Sequence, residues 1–416
     1  MKKATLALGL LAALTGTMVA QEGAVPKGIP HLEHVFVIMM ENHGYSEILH
    51  NPNAPFLNKY ARKANVAANY FAVGHPSLTN YLETVGGSNF GIQSDNSPDW
   101  HNHNCATNLS TGIPNTDNPA SPAICPISGS GTDAATPVLD CTNEVTGPPC
   151  EINLDGKASY KAATDTLGIT IADQLVAAGK TWKTYQESLP MTGPDLVNYS
   201  DGNFTNNTDF SKINPQLTPP LTTGDIVQLY ASKHNPFIYF QSVQEGTNPL
   251  LSDAQMAGFD GGHGLWSDLA SGKVPNFSYI VPNQCNDQHG RSNGTAFCGS
   301  DPNDNGTQAG LNPALILLGD QAVEKIVTAI HEAPVWRRGH AAIVVVWDEN
   351  DYAVQPIINR VVTIVDTNYG FHELQSGEFY THFSLLRSIE GGLGLPCLNH
   401  ACDPSTKAMV DLFDEK

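Results

Sequence analysis

His34-Val35-Phe36-Val37-Ile38-Met39-Met40 runs straight into Glu41-Asn42, and Ala341-Ala342-Ile343-Val344-Val345-Val346-Trp347 runs into Asp348-Glu349. Unbroken apolar runs of this length, rich in Val and Ile, suit interior strands of a parallel sheet covered on both faces. Further runs at 237–240, 277–281 and 361–365 read as strands. Helical periodicity occupies 56–68, 77–85, 169–178, 226–232, 313–329 and 382–389. The alternation predicts an α/β fold, a three-layer α/β/α sandwich with a predominantly parallel central sheet. In such sheets ligands collect beyond the carboxyl ends of the strands. Glu41, Asn42, Asp348 and Glu349 would converge there as four hard oxygen donors, a plausible site for one divalent metal ion.

The chain is 416 residues long and opens Met1-Lys2-Lys3, followed by an apolar stretch and small residues up to Ala20. That is the pattern of a secretory signal peptide over residues 1–20, with an apolar run too short to span a bilayer. Residues 21–416 are then one domain in the periplasm or outside the cell. The eight cysteines, an even number with no Cys-x-x-Cys, fit disulfides in such a compartment. Cys285 with Cys298 and Cys397 with Cys402 are the natural local pairs. The other four lie in a Pro-, Gly- and Asn-rich stretch at about 86–167, which reads as a disulfide-stapled insertion rather than a second domain. With 21 basic against 41 acidic residues, the chain offers no general nucleic-acid or anionic-membrane surface.

Gly74-His75-Pro76-Ser77-Leu78-Thr79-Asn80-Tyr81 supplies a nucleophile candidate. Pro76 keeps His75 out of the helical region, and the helical pattern starts at Ser77. A serine there is commonly an ordinary N-cap. The same position also faces the free N–H groups and positive dipole end that favour a phosphate. Asn80 and His75 are candidate substrate-binding groups. His289, in Pro282-Asn283-Gln284-Cys285-Asn286-Asp287-Gln288-His289, lies past a strand and is the first candidate for a general acid, with Asp287 beside it as a substrate contact. His382 and His263 are weaker candidates of the same kind. Gly290-Arg291-Ser292-Asn293-Gly294 matches a hydrolase elbow pattern but sits in a polar loop, without the strand and helix that motif needs.

Met40-Glu41-Asn42-His43, His75-Pro76-Ser77-Leu78-Thr79-Asn80-Tyr81, Pro282 to His289, Trp347-Asp348-Glu349-Asn350-Asp351 and Thr381-His382-Phe383-Ser384 together resemble the bacterial and fungal phosphoesterase family. Ile171 to Leu175, Thr181 to Glu187 and Lys233-His234-Asn235-Pro236-Phe237 add to the likeness. The family includes secreted acid phosphatases and phospholipase C enzymes, with an alkaline-phosphatase-like fold. The resemblance implies Ser77 as nucleophile and Glu41, Asn42, Asp348 and Glu349 as metal ligands, Glu349 standing where relatives carry a second Asp. Thr79 replaces the second Pro of the family's usual His-Pro-Ser-x-Pro-Asn-Tyr. The activity implied is hydrolysis of phosphate monoesters through a phosphoserine. The alternatives are a phospholipase C-type phosphodiesterase and a catalytically silent secreted binding protein. The expected partner is a small-molecule or lipid-head-group phosphoester, with no stable membrane anchor; metal identity, physiological substrate and oligomeric state stay open at this level.

Overall fold

A computed structural model describes residues 22–90, 95, 169–189, 229–240, 242–243, 246–291, 298–351 and 359–415. The proposed signal peptide, nearly all of the 86–167 insertion with its four cysteines, and Ser292 to Gly294 lie outside them.

Ten strands are described: β1 (His34–Met40), β2 (Asn65–Ala67), β3 (Tyr70–Phe71), β4 (Trp182–Gln186), β5 (Met256–Ala257), β6 (Phe277–Val281), β7 (Ala341–Trp347), β8 (Thr363–Thr367), β9 (Gln375–Ser376) and β10 (Tyr380–Thr381). Eight form one sheet in the order β5-β4-β6-β1-β7-β8-β2-β9, while β3 and β10 pair separately. β5, β4, β6, β1 and β7 are mutually parallel, and β8 runs antiparallel to both its neighbours. β1 and β7 stay in register from His34 opposite Ala341 to Met40 opposite Trp347. Every residue of β7 and β6 is buried, and all but the first of β1. The continuous apolar runs therefore mark strands covered on both faces, as their composition predicts.

The helices are α1 (Tyr45–Ile48), α2 (Pro55–Ala61), α3 (Ser77–Gly86), α4 (Ile171–Ala177), α5 (Leu265–Ser271), α6 (Pro313–Glu332) and α7 (His382–Leu393). α3 packs on α4 and α7, and α6 packs on α2 and α5, forming the two helical groups of an α/β/α sandwich. α6 starts on Pro313 after Asn312, whose Oδ1 accepts the Ala314 N–H. α3 ends at Gly87, at φ +70, where a Cβ would stand 2.4 Å from the Leu398 carbonyl oxygen. Only glycine fits there. Cys285–Cys298 and Cys397–Cys402 are both disulfide-bonded, as the local spacing suggests.

Three expected elements differ. The helix expected over 226–232 is absent from the described residues 229–231, and Ser232 instead opens a 3-10 turn, Ser232–His234. Phe237 to Phe240 is not a strand: Phe237 to Tyr239 belong to a 3-10 turn, Pro236–Tyr239, and Phe240 follows it in an extended conformation. Pro236 lacks the ladder donor, and Phe237 instead packs its ring 4.6 Å from Trp182 and 5.7 Å from Tyr279. The helix expected over 56–68 stops at Ala61, and Asn65–Ala67 becomes β2. There Asn65 Nδ2 donates to the Phe371 and Leu412 carbonyls and its Oδ1 accepts from Leu374 N–H, which fixes the strand from outside the sheet.

Glu390 on α7 is fully buried; its Oε1 accepts the Leu398 N–H and its Oε2 has no partner. Burial pushes its carboxyl well above the usual range, against the opposing effects of that hydrogen bond and Arg387. A raised folded-state pKa means that stability is fullest below the unfolded-state value and falls as pH rises towards the folded one. Glu390→Gln should therefore raise the thermal midpoint by a few degrees at pH 7 and not at pH 4, read by scanning fluorimetry. An equal shift at both pH values would rule out Glu390 as the titrating group.

Candidate active site

Strand register brings the two acidic pairs together. Asp348 N–H donates to the Met40 carbonyl at 3.0 Å, and Asn42 N–H donates to Asp348 Oδ1 at 3.1 Å, so the turns after β1 and β7 are stitched to each other. Asn42 sits at φ +65, a conformation Asn tolerates better than most residues. Ser77 is the first residue of α3 and is 2 % exposed. Its Oγ lies 3.2 Å from Glu41 Oε2 and 3.1 Å from Glu349 Oε1, at the end of a helix long enough to present a positive dipole.

A second layer fixes these groups. Glu349 Oε2 accepts from Asn80 Nδ2 at 3.0 Å and pairs with His75 Nδ1 at 2.8 Å. Asn80 Nδ2 also donates to the Gly74 carbonyl, while its Oδ1 accepts from Val73 and Gly74 N–H. Both ends of the amide thus bind the loop before α3, and Asn80 also holds the Glu349 carboxylate. His382 is buried, with Nδ1 2.9 Å from Tyr70 OH and Nε2 2.6 Å from the Asp348 carbonyl. Burial lowers its pKa to about 4. A neutral ring then accepts from Tyr70 and donates to the Asp348 carbonyl, holding the turn after β7.

A cationic side faces the acids. Lys233 Nζ lies 3.5 Å from Ser77 Oγ, 3.2 Å from His289 Nε2 and 3.0 Å from Asp95 Oδ2. Burial opposes its charge, but Asp95 and Glu41 more than offset that and raise its pKa. His234 Nε2 is 2.9 Å from Glu41 Oε1, its Nδ1 is 3.3 Å from Asp287 Oδ2, and its ring stacks on Tyr81 at 5.1 Å. Burial disfavours its charge, yet Glu41 and Asp287 raise its pKa to about 9. His289 is the opposite case: burial and the Lys233 charge lower it to about 4. Its Nδ1 donates to the Gly290 carbonyl at 2.8 Å, leaving Nε2 to accept from Lys233. His289 thus faces Lys233 beside the Ser77 cluster. Asp287 joins the cluster through His234 and through its Oδ1, which accepts from His289 N–H. His263 is exposed on the loop before α5, its carbonyl accepting from Lys183, and no described contact joins it to Ser77.

Lys233 and His234 are the functional candidates that residue-by-residue reading passed over. Their only sequence signal is the Lys233-His234-Asn235-Pro236-Phe237 likeness.

Three buried carboxylates stand together at the strand ends. Burial, then Glu41 and Glu349, push Asp348 well above the carboxylate range. Burial also raises Glu349 to about 7, against His75, while Glu41 stays low because of His234 and Lys233. Asn42 Oδ1 and Asp348 Oδ2 are buried without a hydrogen-bond partner. Unpartnered hard oxygens amid uncompensated acid fit a divalent cation held by Glu41, Asn42 and Asp348. Ligand atoms of Glu41, His234 and His289 also lie within 4.8 Å of one another. There a protonated His234 already supplies the positive charge. Glu349 is engaged by Ser77, Asn80 and His75.

A model of the Phosphoesterase family matches residues 47–298, a span that holds Ser77, Lys233, His234, Asp287 and His289. The chain is 22% identical over 400 residues to a phosphatidylinositol-3-phosphatase of Mycobacterium tuberculosis, a match covering 95% of this chain and 88% of that protein. It is 22% identical over 366 residues to an acid phosphatase of Aspergillus fumigatus, covering 87% of this chain and 55% of the relative. A phosphate-repressible acid phosphatase of Penicillium chrysogenum matches over 345 residues at 22% identity, covering 82% and 55%. The chain thus spans just over half the length of these fungal relatives. Among solved structures, a protein in the alkaline phosphatase superfamily from Vibrio parahaemolyticus is similar with a TM-score of 0.42 at 10% identity, over 95% of this chain and 75% of that one. The C-terminal periplasmic domain of EcEptC from Escherichia coli gives 0.39 at 9% identity, over 95% and 92%.

Asp348→Asn removes a buried like charge while keeping the acceptor for Asn42 N–H. In protein treated with a chelator it should raise the thermal midpoint, by an amount that grows between pH 4 and pH 8. A lower midpoint throughout that range would contradict the electrostatic account.

Proposed function

The chain belongs to the phosphoesterase family and is a phosphoric ester hydrolase; from that premise we propose that it is an exported, metal-dependent acid phosphatase acting on phosphate monoesters through a phosphoserine on Ser77. The observation that carries the reading is the setting of Ser77 Oγ, buried at a helix N-terminus, within 3.2 Å of two carboxylates and 3.5 Å of an ammonium. Export rests on the signal-peptide pattern of residues 1–20, with residues 21–416 forming one domain. No helix among the described residues is long and apolar enough to cross a membrane.

In this mechanism Ser77 Oγ attacks phosphorus, a P–O bond forms to the serine, and the ester P–O bond breaks to release the alcohol. Glu349 takes the serine proton, and Asn80 and His75 keep its carboxylate aimed at Oγ. Lys233 stabilises the developing alkoxide and the equatorial phosphoryl oxygens. A divalent ion on Glu41, Asn42 and Asp348 would supply electrophilic charge that lowers the serine pKa and neutralises a phosphoryl oxygen. Glu349 passes the serine proton through solvent to the departing alkoxide; water then attacks the phosphoserine, the P–O bond to Ser77 breaks to release inorganic phosphate, and Glu349 relays the water's proton to Ser77 Oγ.

Asp95 marks where the phosphoryl group would sit. Its Oδ1 accepts the Leu78 N–H at 3.1 Å and its Oδ2 pairs with Lys233 at 3.0 Å, so a carboxylate occupies the anion-recognising groups of the helix end.

Turnover of para-nitrophenyl phosphate beside its bis-ester tests the assignment. Preference for the monoester and a loss of about 10⁴-fold or more in Ser77→Ala, with an unchanged thermal midpoint, is the expected result. Appreciable activity in the variant would sink the nucleophile, and preference for the bis-ester would move the enzyme to the phosphodiesterases. Asp95→Asn should lower both KM and the inhibition constant of inorganic phosphate severalfold. A rise in both would mean that Asp95 helps to bind substrate instead of competing with it.

A further inference from the structure

We infer that Gln288 is a positioning residue, a clamp through which helix α6 sets where Asp287 and His289 stand. Its consequence for turnover rests on the phosphatase reading; its geometry does not.

Gln288 lies in the loop after β6, between two members of the Ser77 cluster. Asp287 Oδ2 stands 3.3 Å from His234 Nδ1, and His289 Nε2 stands 3.2 Å from Lys233 Nζ, itself 3.5 Å from Ser77 Oγ. The side chain of Gln288 is engaged elsewhere. It is fully buried; Trp347 Nε1–H donates to its Oε1 at 3.0 Å, and its Nε2 donates to the Ile316 carbonyl at 2.9 Å. Trp347 is the last residue of β7, immediately before Asp348, and Ile316 lies near the start of α6.

α6 is shaped to receive this side chain. Glycine inside a helix weakens it relative to alanine, so Gly319 needs a packing reason. A Cβ on Gly319 would stand 2.2 Å from Gln288 Cγ and 2.6 Å from its Cδ. The bare backbone is therefore a socket, and one added carbon would displace a group that burial and two hydrogen bonds leave without room to move. The clamp also works against the preference of its own backbone. Gln288 sits at φ +82, in the left-handed region that residues with a Cβ avoid. Its two side-chain hydrogen bonds, satisfied in an apolar interior, hold it there.

Other contacts close the loop on itself. Asp287 N–H donates to the Asn283 carbonyl at 2.8 Å, Gly290 N–H donates to the Gln284 carbonyl at 2.7 Å, and Cys285 is bonded to Cys298. The Asp287 carbonyl accepts the Glu41 N–H at 2.8 Å. Gln288 adds the tie from the middle of the loop to β7 and α6. A shift of Gln288 moves Asp287 and His289 together, and with them the settings of His234 and Lys233. Misplacing such groups by about 1 Å can cost ~10²-fold in turnover.

Size-swap variants of the full-length mature protein, with magnesium chloride present, test the clamp. Gly319→Ala changes α6 outside the Ser77 cluster, and Gln288→Ala removes the side chain that the new methyl would strike. Each should raise KM for para-nitrophenyl phosphate and the dissociation constant of inorganic phosphate by about fivefold or more. Each should also move the ring-nitrogen resonances of His289 at fixed pH, assigned through His289→Gln. In the Gln288→Ala background, Gly319→Ala should change both constants by no more than about twofold, because nothing is left to strike. Single variants that lose thermal midpoint alone, with KM, phosphate binding and resonances at wild-type values, would reduce Gln288 to core packing and overturn the inference. Effects that multiply in the double variant would overturn it too, by showing that Gly319 acts through another route. Should Gly319→Ala fail to fold, Gln288→Glu decides: it keeps the acceptor for Trp347, loses the donor to Ile316, and should reproduce the same changes. Moved resonances in a protein that never turns over phosphoester would sink the phosphatase reading and leave the clamp standing.

Discussion

The register between β1 and β7 is the constraint on which everything else rests. Seven consecutive residue pairs hold the two strands in step, so that both leave the sheet at the same height and Glu41 emerges beside Asp348. A one-residue slip would invert every side chain and send the acids to opposite faces. The register is secured by burial on both faces, and then by the Asp348 to Met40 and Asn42 to Asp348 hydrogen bonds at its end. Packing energy far from the chemistry thus determines where the chemistry stands.

The site that results is divided by charge. Glu41, Asp348 and Glu349 form an acidic half below Ser77, while Lys233 and His234 form a cationic half opposite, and Glu41 belongs to both through His234. Neither half is comfortable when buried alone. On the proposed reading the cationic half would face the phosphoester and the acidic half the divalent ion, with the serine between them. Asp287 braces His234, and His382 braces the Asp348 carbonyl.

Much of this is legible in the chain because two signals are local. An apolar run ending in acids marks a buried strand and its ligand end in a dozen residues, and Pro76 before Ser77 marks a helix start. Lys233 has no such signature: a lysine among polar residues reads as solvated, and its burial follows only from a 3-10 turn folding beneath Ser77. The settings of the histidines are illegible in the sequence for a related reason. His289 and His382 differ from His234 not in sequence but in neighbours, Lys233 and a carbonyl against two carboxylates, and those neighbours are distant in the chain. Phe237 to Phe240 shows the converse, where an apolar run long enough for a strand caps the core because Pro236 forbids the ladder. The short β2 was hidden in a helical pattern because its pairing with β8 is set by Asn65 gripping remote backbone, a contact that periodicity does not encode.

The outermost strands of the main sheet, β5 and β9, are two residues each. An exposed sheet edge is a template on which another chain can add itself, and a wide, apolar sheet of eight strands would make a strong one. Tapering both margins to a couple of residues leaves too few free amides and carbonyls for a stranger to dock. Among the described residues, the apolar stretches of β1 and β7 thus lie deep inside margins too short to recruit a strand, whatever the net charge of −20.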